Sequence, residues 1–211
     1  MNHALIGQLA GLLAILSVIP YIVSILRGHT KPERMTYFIW FVVDAVTMSS
    51  YIVSGARTTI WTGLVYVFSG LLIFCLSIKY GMGGFSNFDI LCLVFALLGV
   101  VLWIDTKNPL IALYMGNFVG LMGYLPTIKK AYFLPGTENT LSWLMTAGAG
   151  TLNLFALTTL RPNIAILPIR SVITQGLVVY LLLFPAARFK VRRRKHQHKI
   201  HALLSHPVFV R

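Results

Sequence analysis

Long apolar runs separated by short polar segments divide this chain into successive hydrophobic stretches. Each run is close to the roughly 20 residues that an α-helix needs to cross the hydrocarbon core of a bilayer. The first run has no basic leader and no small-residue cleavage site, so we expect it to be a retained helix. The pattern predicts an all-α integral membrane protein with seven transmembrane helices. They are expected at residues 5–26, 35–54, 59–79, 88–105, 110–132, 141–159 and 165–187.

The sequence also contains an internal repeat. The segment PYIVSILRGHTKPERMTYFIW, which begins at Pro20, returns in altered form as PTIKKAYFLPGTENTLSWLM from Pro126. Pro126 follows Pro20 by 106 positions, and the same offset relates Gly176 to Gly70. Three spans in each copy would invert the second copy unless one further helix intervened, and the run at 88–105 supplies that crossing. The sequence therefore predicts two parallel three-helix bundles joined by a linker helix, an arrangement found among secondary transporters. The expected units are 1–80, 81–109, 110–188 and a basic cytoplasmic tail at 189–211.

Composition agrees with a membrane protein. Hydrophobic residues make up 57% of the chain and charged residues 11%, whereas soluble domains have about a quarter charged residues. The net charge of +13 is concentrated on alternate loops and in the tail. By the positive-inside rule, the N-terminus is expected outside and the C-terminus in the cytoplasm, in the plasma (inner) membrane if the source is bacterial. The predicted cytoplasmic loops carry Arg27, Lys31, Arg34, Lys79, Lys129 and Lys130, and the opposite side carries Arg57, Lys107, Arg161 and Arg170.

The basic tail, RFKVRRRKHQHKIH from Arg188, directly follows the last predicted helix. Basic residues at that position fix orientation and contact acidic headgroups. The expected partners are therefore the lipid bilayer and its anionic lipids, and nucleic acid is not an expected partner.

The turn that joins the first two helices of each copy carries a family resemblance. A proline late in the helix is followed by a basic turn and then by PERMTY at 32–37 or ENTLSW at 138–143. This pattern resembles the PQ-loop repeat of the SWEET, cystinosin and KDEL-receptor superfamily, with Tyr21 and Thr127 in place of the glutamine. The resemblance implies that Pro20 and Pro126 are hinges for alternating access, and that the second and third helix of each copy hold the substrate. A static bend at each proline is the alternative.

Asp44 is the only carboxylate in the interior of a predicted span, since Asp89 and Asp105 lie at the ends of theirs. A charge at the bilayer centre costs about 2.5–3.5 kcal/mol on insertion scales, and such residues usually face a cavity. Asp44 could carry a coupling proton or balance a cationic substrate. The alternative is a structural role, hydrogen-bonded to Thr36, Thr47 or Ser50.

Arg170, predicted about one turn inside the outer end of the seventh helix, has three readings. It could anchor an anionic group, pair with Asp44, or extend to the outer headgroups.

Further polar residues are candidates for a central pathway. The 106 offset places Asn153 opposite Thr47 and Gln175 opposite Ser69, and Asn117 adds an amide on the fifth helix. Such amides could instead join neighbouring helices.

Two tryptophans each have two readings, and four glycines have one. Trp40 and Trp143 could stack on a ring-bearing substrate, or anchor their helices at the membrane interface. The spacings Gly7 to Gly11 and Gly116 to Gly120 are typical of close helix contacts.

The sequence shows no catalytic constellation, so we do not expect an enzyme, and it indicates no cofactor or metal. The predicted function is transport of a small polar solute, such as an amino acid, a sugar or a vitamin-like compound, by alternating access with proton coupling at Asp44 as an option. The alternative is a receptor or sorting protein of the KDEL-receptor type, which would bind a peptide or small ligand without net flux. The sequence leaves an oligomer open.

Overall fold

The computed structural model describes residues 2–84 and 86–184, and within them the chain forms seven α-helices. All of them except the sixth are long and apolar enough to cross a membrane, so the chain is an all-α, multi-pass integral membrane protein. The basic tail expected at 189–211 lies outside the described residues. The helices are α1 (His3–Leu26), α2 (Arg34–Val53), α3 (Ile60–Tyr80), α4 (Asn87–Thr106), α5 (Pro109–Phe133), α6 (Thr140–Phe155) and α7 (Pro162–Leu183), with one turn of 3₁₀ helix at Pro135–Thr137.

The connection between α6 and α7 differs from its prediction. Helix α6 ends at Phe155, four residues before the predicted 159, and α7 begins at Pro162 rather than at 165. Proline suits the first position of a helix, because its missing N–H has no partner there in any case. The residue before a proline is driven away from the α-helical region, so the chain cannot run helically from α6 into α7. As a result Arg170 lies more than two turns inside α7 rather than one.

The starts of α2 and α6 are built in the same way. The Glu33 side chain accepts a hydrogen bond of 2.8 Å from the backbone N–H of Thr36, and the Asn139 side chain accepts one of 2.9 Å from Ser142. Such N-caps satisfy a backbone donor that the first helical turn leaves free. Both capping residues and both donors are related by the 106 offset that the sequence repeat predicts.

Pro20 in α1 and Pro126 in α5 also occupy equivalent positions in their helices. Pro20 is residue 18 of α1 and Pro126 is residue 18 of α5, and both helices continue beyond the proline. Each ring removes one backbone hydrogen bond and so loosens its helix locally.

Helix contacts follow a repeated pattern. Helix α3 packs against α1 and α2, and α7 packs against α5 and α6. Across the molecule, α1 packs on α6 and α2 on α5, while α4 packs mainly on α5. The surface of α4 exposes a set of large apolar side chains, as expected of a lipid-facing helix: Ile90, Leu91, Val94, Leu97, Val101 and Ile104.

Glycines allow several of these helices to approach closely. A Cβ at Gly7 would meet the Thr58 carbonyl, and one at Gly11 would lie 2.6 Å from Trp61 Cβ. On α5, a Cβ at Gly116 would meet Thr47 Oγ1. The small-residue spacings are therefore close helix contacts, as predicted.

Hydrogen bonds join α1–α3 to α5–α7, two groups of helices that we call the two halves, where α2 ends and α7 begins. We call this region the Tyr51 end. The Tyr51 hydroxyl donates to the Ile164 carbonyl at 2.6 Å and lies 2.7 Å from Thr59 Oγ1. Thr58 Oγ1 donates to the Ala156 carbonyl at 2.7 Å. These contacts connect the end of α2 and the α2–α3 loop to the end of α6 and the start of α7.

Candidate functional site: a central cavity

A cavity of about 90 Å³ lies between the two halves and is lined by α1, α2, α3, α5, α6 and α7. One water molecule occupies about 10–15 Å³ of a cavity volume defined in this way, so the cavity has room for several waters or for a compact solute. Its non-aromatic polar lining comes from six residues: Ser17, Asp44, Ser69, Ser142, Thr146 and Gln175.

Aromatic rings form a continuous wall of this cavity, which we call the aromatic collar: Tyr21, Tyr37, Trp40, Tyr124 and Trp143. The ring centroids of successive members lie 6.0, 5.2, 4.6 and 6.4 Å apart in that order. These separations are in the range of favourable aromatic pairs. Because the rings come from α1, α2, α5 and α6, the collar joins both halves of the molecule.

Glu138 closes the collar into a ring. Its Oε2 accepts hydrogen bonds from Trp143 Nε1 at 2.9 Å and from the Tyr21 hydroxyl at 3.1 Å. Its Oε1 lies 2.6 Å from Lys130 Nζ, which also donates to the Lys31 carbonyl. Charge-assisted bonds of this kind are about twice as strong as neutral ones. We call this region the Glu138 end; it connects α1, α5, α6 and the turn before α2.

Asp44 lines the cavity, and its ionic partner is Arg170, whose Nη2 lies 3.6 Å from Asp44 Oδ1. This pairing is one of the three readings that the sequence left open for Arg170. If Asp44 had only a structural role, the sequence predicted hydrogen bonds from its carboxylate to the hydroxyls of Thr36, Thr47 or Ser50. Thr36 Oγ1 and Thr47 Oγ1 are buried without a hydrogen-bond partner in the described part of the chain, and Ser50 donates to the Val46 carbonyl instead.

The guanidinium of Arg170 approaches Asp44 from outside the central cavity. Arg170 lines a separate lateral groove between α5 and α7, together with Asn117 and Thr174. Its Nε and Nη1 are buried and have no partner among the described residues. Nη1 lies against Gly120, where a Cβ would collide with it. The absence of a side chain on Gly120 therefore makes room for the arginine in the interior.

Five of the residues predicted for the pathway line the central cavity: Asp44, Ser69, Gln175, Trp40 and Trp143. Gln175 is 1% exposed, and its Nε2 donates to the Tyr66 hydroxyl at 3.1 Å. Ser69 Oγ donates to the Tyr66 carbonyl at 3.3 Å. Both side chains therefore bond to Tyr66, a lining residue that the sequence did not single out.

The other predicted polar residues lie at helix contacts. Thr47 Oγ1 faces Gly116 across the α2–α5 contact. Asn117 Nδ2 donates to the Leu113 carbonyl at 2.8 Å, and Asn117 borders the lateral groove. Asn153 Nδ2 donates to the Thr59 carbonyl at 3.3 Å, at the Tyr51 end. Of these three side chains, Asn153 makes a hydrogen bond between separate segments, whereas the bond of Asn117 lies within α5.

The lining follows the internal repeat in part. Asp44 corresponds to Gly150 at the 106 offset, so the carboxylate stands on one side of the cavity only. Four pairs of lining residues obey the offset: Val18 with Tyr124, Tyr37 with Trp143, Trp40 with Thr146, and Ser69 with Gln175.

Sequence reasoning missed Glu138 and four tyrosines of the site. Tyr37 could have been found, because it occupies the position of Trp143 in the other copy. Glu138 also carried a signal, as an acidic residue in a predicted basic turn. Tyr21 was noted only as the replacement of the PQ-loop glutamine. Tyr66 and Tyr124 carried no signal, since nothing local separates a lining tyrosine from an interfacial one.

In comparisons with known proteins, no protein-family model matches this chain, and no curated protein is significantly similar to it.

Proposed function

We propose that this protein is a membrane transporter that moves a small polar solute through the central cavity by alternating access. The observation that carries the proposal is the position of the cavity. It lies at the junction of the two halves, has a polar and aromatic lining, and has hydrogen bonds between those halves towards both ends. Substrate sites near the midplane, at the interface of two repeats, are typical of secondary transporters.

The proposed architecture is two parallel three-helix bundles, α1–α3 and α5–α7, with α4 as the linker. It is supported by the equivalent packing of α3 and α7 within their halves and by the 106 offset of caps, prolines and lining pairs. In this proposal α6 crosses the membrane as well. Its 16 residues extend about 24 Å, and its flanking segments complete the span.

The proposed orientation has the Glu138 end in the cytoplasm and the N-terminus outside. Arg27, Lys31 and Lys130 lie in or beside the turns at the Glu138 end. An excess of Lys and Arg marks the cytoplasmic side of membrane proteins.

The two ends are the proposed gates. Opening the Glu138 end requires that Glu138 release Tyr21 and Trp143, so that the collar parts. Opening the Tyr51 end requires that Tyr51 release the Ile164 carbonyl. Each gate depends on a few hydrogen bonds of about 1 kcal/mol net, and more for those to a charge. A solute that binds one state more tightly can offset costs of this size.

Asp44 is the proposed coupling residue. Protonation of its carboxyl would remove the charge that holds Arg170, so proton binding and the packing of α7 against α2 would be linked. A receptor of the same architecture would bind its ligand in the same cavity but would need only one gate.

Access to a single cavity residue tests the proposal. Ser69→Cys introduces a thiol of similar size into the lining, in a background with Cys75→Ala and Cys92→Ala. A membrane-impermeant thiol reagent is applied from outside to intact cells, and from the cytoplasmic side to inverted vesicles. A transporter exposes the thiol to each side in turn, so labelling is expected from both. Labelling from one side alone would favour the receptor, and labelling from neither side would contradict a pathway.

Phe68, which precedes Ser69 in the sequence, provides the control for this labelling experiment. Phe68 is 70% exposed on the surface of α3, where lipid would surround it. Phe68→Cys in the same background is expected to remain unlabelled from both sides, since the charged reagent does not enter the hydrocarbon.

A further inference from the structure

We propose that the central cavity selects a small organic cation, bound between the aromatic collar and the carboxylate of Asp44. The inference rests on the proposed function of the same cavity and names the class of its substrate.

The first step is the charge of the lining. Among the described residues that line the central cavity, Asp44 is the one with a charged side chain. Its side chain is 18% exposed, so the carboxylate keeps surface that a ligand can reach. Arg170 balances the charge from the lateral groove through a single contact of 3.6 Å. A ligand in the cavity therefore meets the negative member of the pair.

The second step is the chemistry of the walls. The faces of tyrosine and tryptophan rings carry negative partial charge, which attracts cations within about 6 Å of a ring centre. Five rings of the collar, together with Tyr66, surround a cavity of about 90 Å³. Any solute in so small a space lies close to several rings at once. Aromatic cages of this kind recognise quaternary ammonium groups.

Other solute classes fit this lining less well. An anion would be repelled by the carboxylate of Asp44, and no cationic side chain of the described lining would balance it. A neutral sugar would gain nothing from an ionised side chain whose burial has a cost. A zwitterion would present its own carboxylate to a lining that offers no cationic side chain among its described residues.

Choline and its uncharged isostere test the inference. In 3,3-dimethylbutan-1-ol a carbon replaces the nitrogen of choline, so shape is kept and charge is lost. Binding of each to the purified full-length chain is measured by calorimetry, with glycine betaine as the zwitterionic comparison. Choline is expected to bind at least tenfold more tightly than either. Equal binding of choline and the isostere, or no binding of choline, would overturn the inference.

Variants locate the binding site. Trp40→Leu removes a collar ring and is expected to weaken choline binding at least tenfold. Trp61→Leu is the matched control, because Trp61 is 42% exposed outside the central cavity, and it should leave binding unchanged. Asp44→Asn combined with Arg170→Gln removes the charge without stranding the arginine, and it should also weaken binding at least tenfold. Full choline binding in Trp40→Leu and in this double variant would overturn the inference.

The labelling of Ser69→Cys separates this inference from the proposed function. Two-sided labelling without choline binding would leave the transporter proposal standing and remove the cation. Choline binding that depends on Trp40, combined with one-sided labelling, would keep the cation site and reject transport.

Discussion

Lys130 Nζ lies 2.6 Å from Glu138 Oε1, and both side chains are more than nine-tenths buried, at 6% and 3% exposed. The pair connects the end of α5 to the turn that precedes α6. Because Glu138 also accepts from Tyr21 and Trp143, the ion pair holds one oxygen of the carboxylate while the other closes the aromatic collar.

Breaking this pair is expected to destabilise the protein strongly. Glu138→Gln leaves the Lys130 ammonium buried without its counter-charge, which typically costs about 3–5 kcal/mol. The effect is measured as a fall in the thermal unfolding temperature of the purified protein. Lys130→Met combined with Glu138→Gln removes both charges and should cost less than the sum of the single variants. Additive losses would show that the two side chains do not stabilise each other.

Substitution of Asp44 and substitution of Arg170 should lower the stability of the protein by different amounts. Asp44→Asn leaves two unpartnered guanidinium nitrogens without the nearby carboxylate, and the expected loss of unfolding free energy is about 1–3 kcal/mol. Arg170→Gln should cost less, because Asp44 has cavity surface where water can solvate it. Thermal unfolding measures both variants. The control is Asp105→Asn at the exposed end of α4, expected to change stability by less than about 0.5 kcal/mol. A loss from Asp44→Asn no larger than this control would contradict the pairing.

Gly123 provides the space for the indole of Trp40. A Cβ on Gly123 would lie 2.7 Å from Trp40 Nε1, and the ring cannot move aside easily because Tyr37 and Tyr124 pack against it. Gly123→Ala is therefore expected to cost about 1–3 kcal/mol by overpacking and to shift the tryptophan fluorescence. Thermal unfolding and emission spectra measure these effects.

Gly176 is the matched control for this substitution. A Cβ there meets no atom within 4 Å, so Gly176→Ala should be neutral or stabilise α7 by up to about 1 kcal/mol through helix propensity. Equal destabilisation by both alanines would mean that contact with Trp40 is not the cause.

The two equivalent prolines distinguish a hinge from a static bend. Pro20→Ala and Pro126→Ala restore a backbone donor to α1 and α5 and stiffen them near the collar. For a hinge, cytoplasmic labelling of Ser69→Cys is expected to slow severalfold while the unfolding temperature holds or rises. Pro168→Ala, inside α7, should leave the labelling rate unchanged. Unaltered labelling in both hinge variants would favour the static bend.

The internal repeat was the most informative part of the sequence for the site. The offset defined by Pro20 and Pro126 also relates the caps Glu33 and Asn139, and it relates Ser69 to Gln175 across the cavity. The offset could not tell lining from packing, since Asn153 and Thr47 obey it as well and lie at helix contacts. Highly apolar helices have little amphipathic asymmetry, so the facing of each polar residue cannot be read from the pattern.

The sequence by itself determined that the chain forms long apolar helices in a membrane, because the length and hydropathy of each run decide whether it can cross the hydrocarbon. It also contains the 106-residue offset that relates Pro20 to Pro126. Only the tertiary structure decided that Arg170 reaches Asp44 and that Glu138 joins Tyr21 to Trp143. Those contacts connect residues distant in the chain, and they depend on how the helices rotate and pack against one another, which no local pattern specifies.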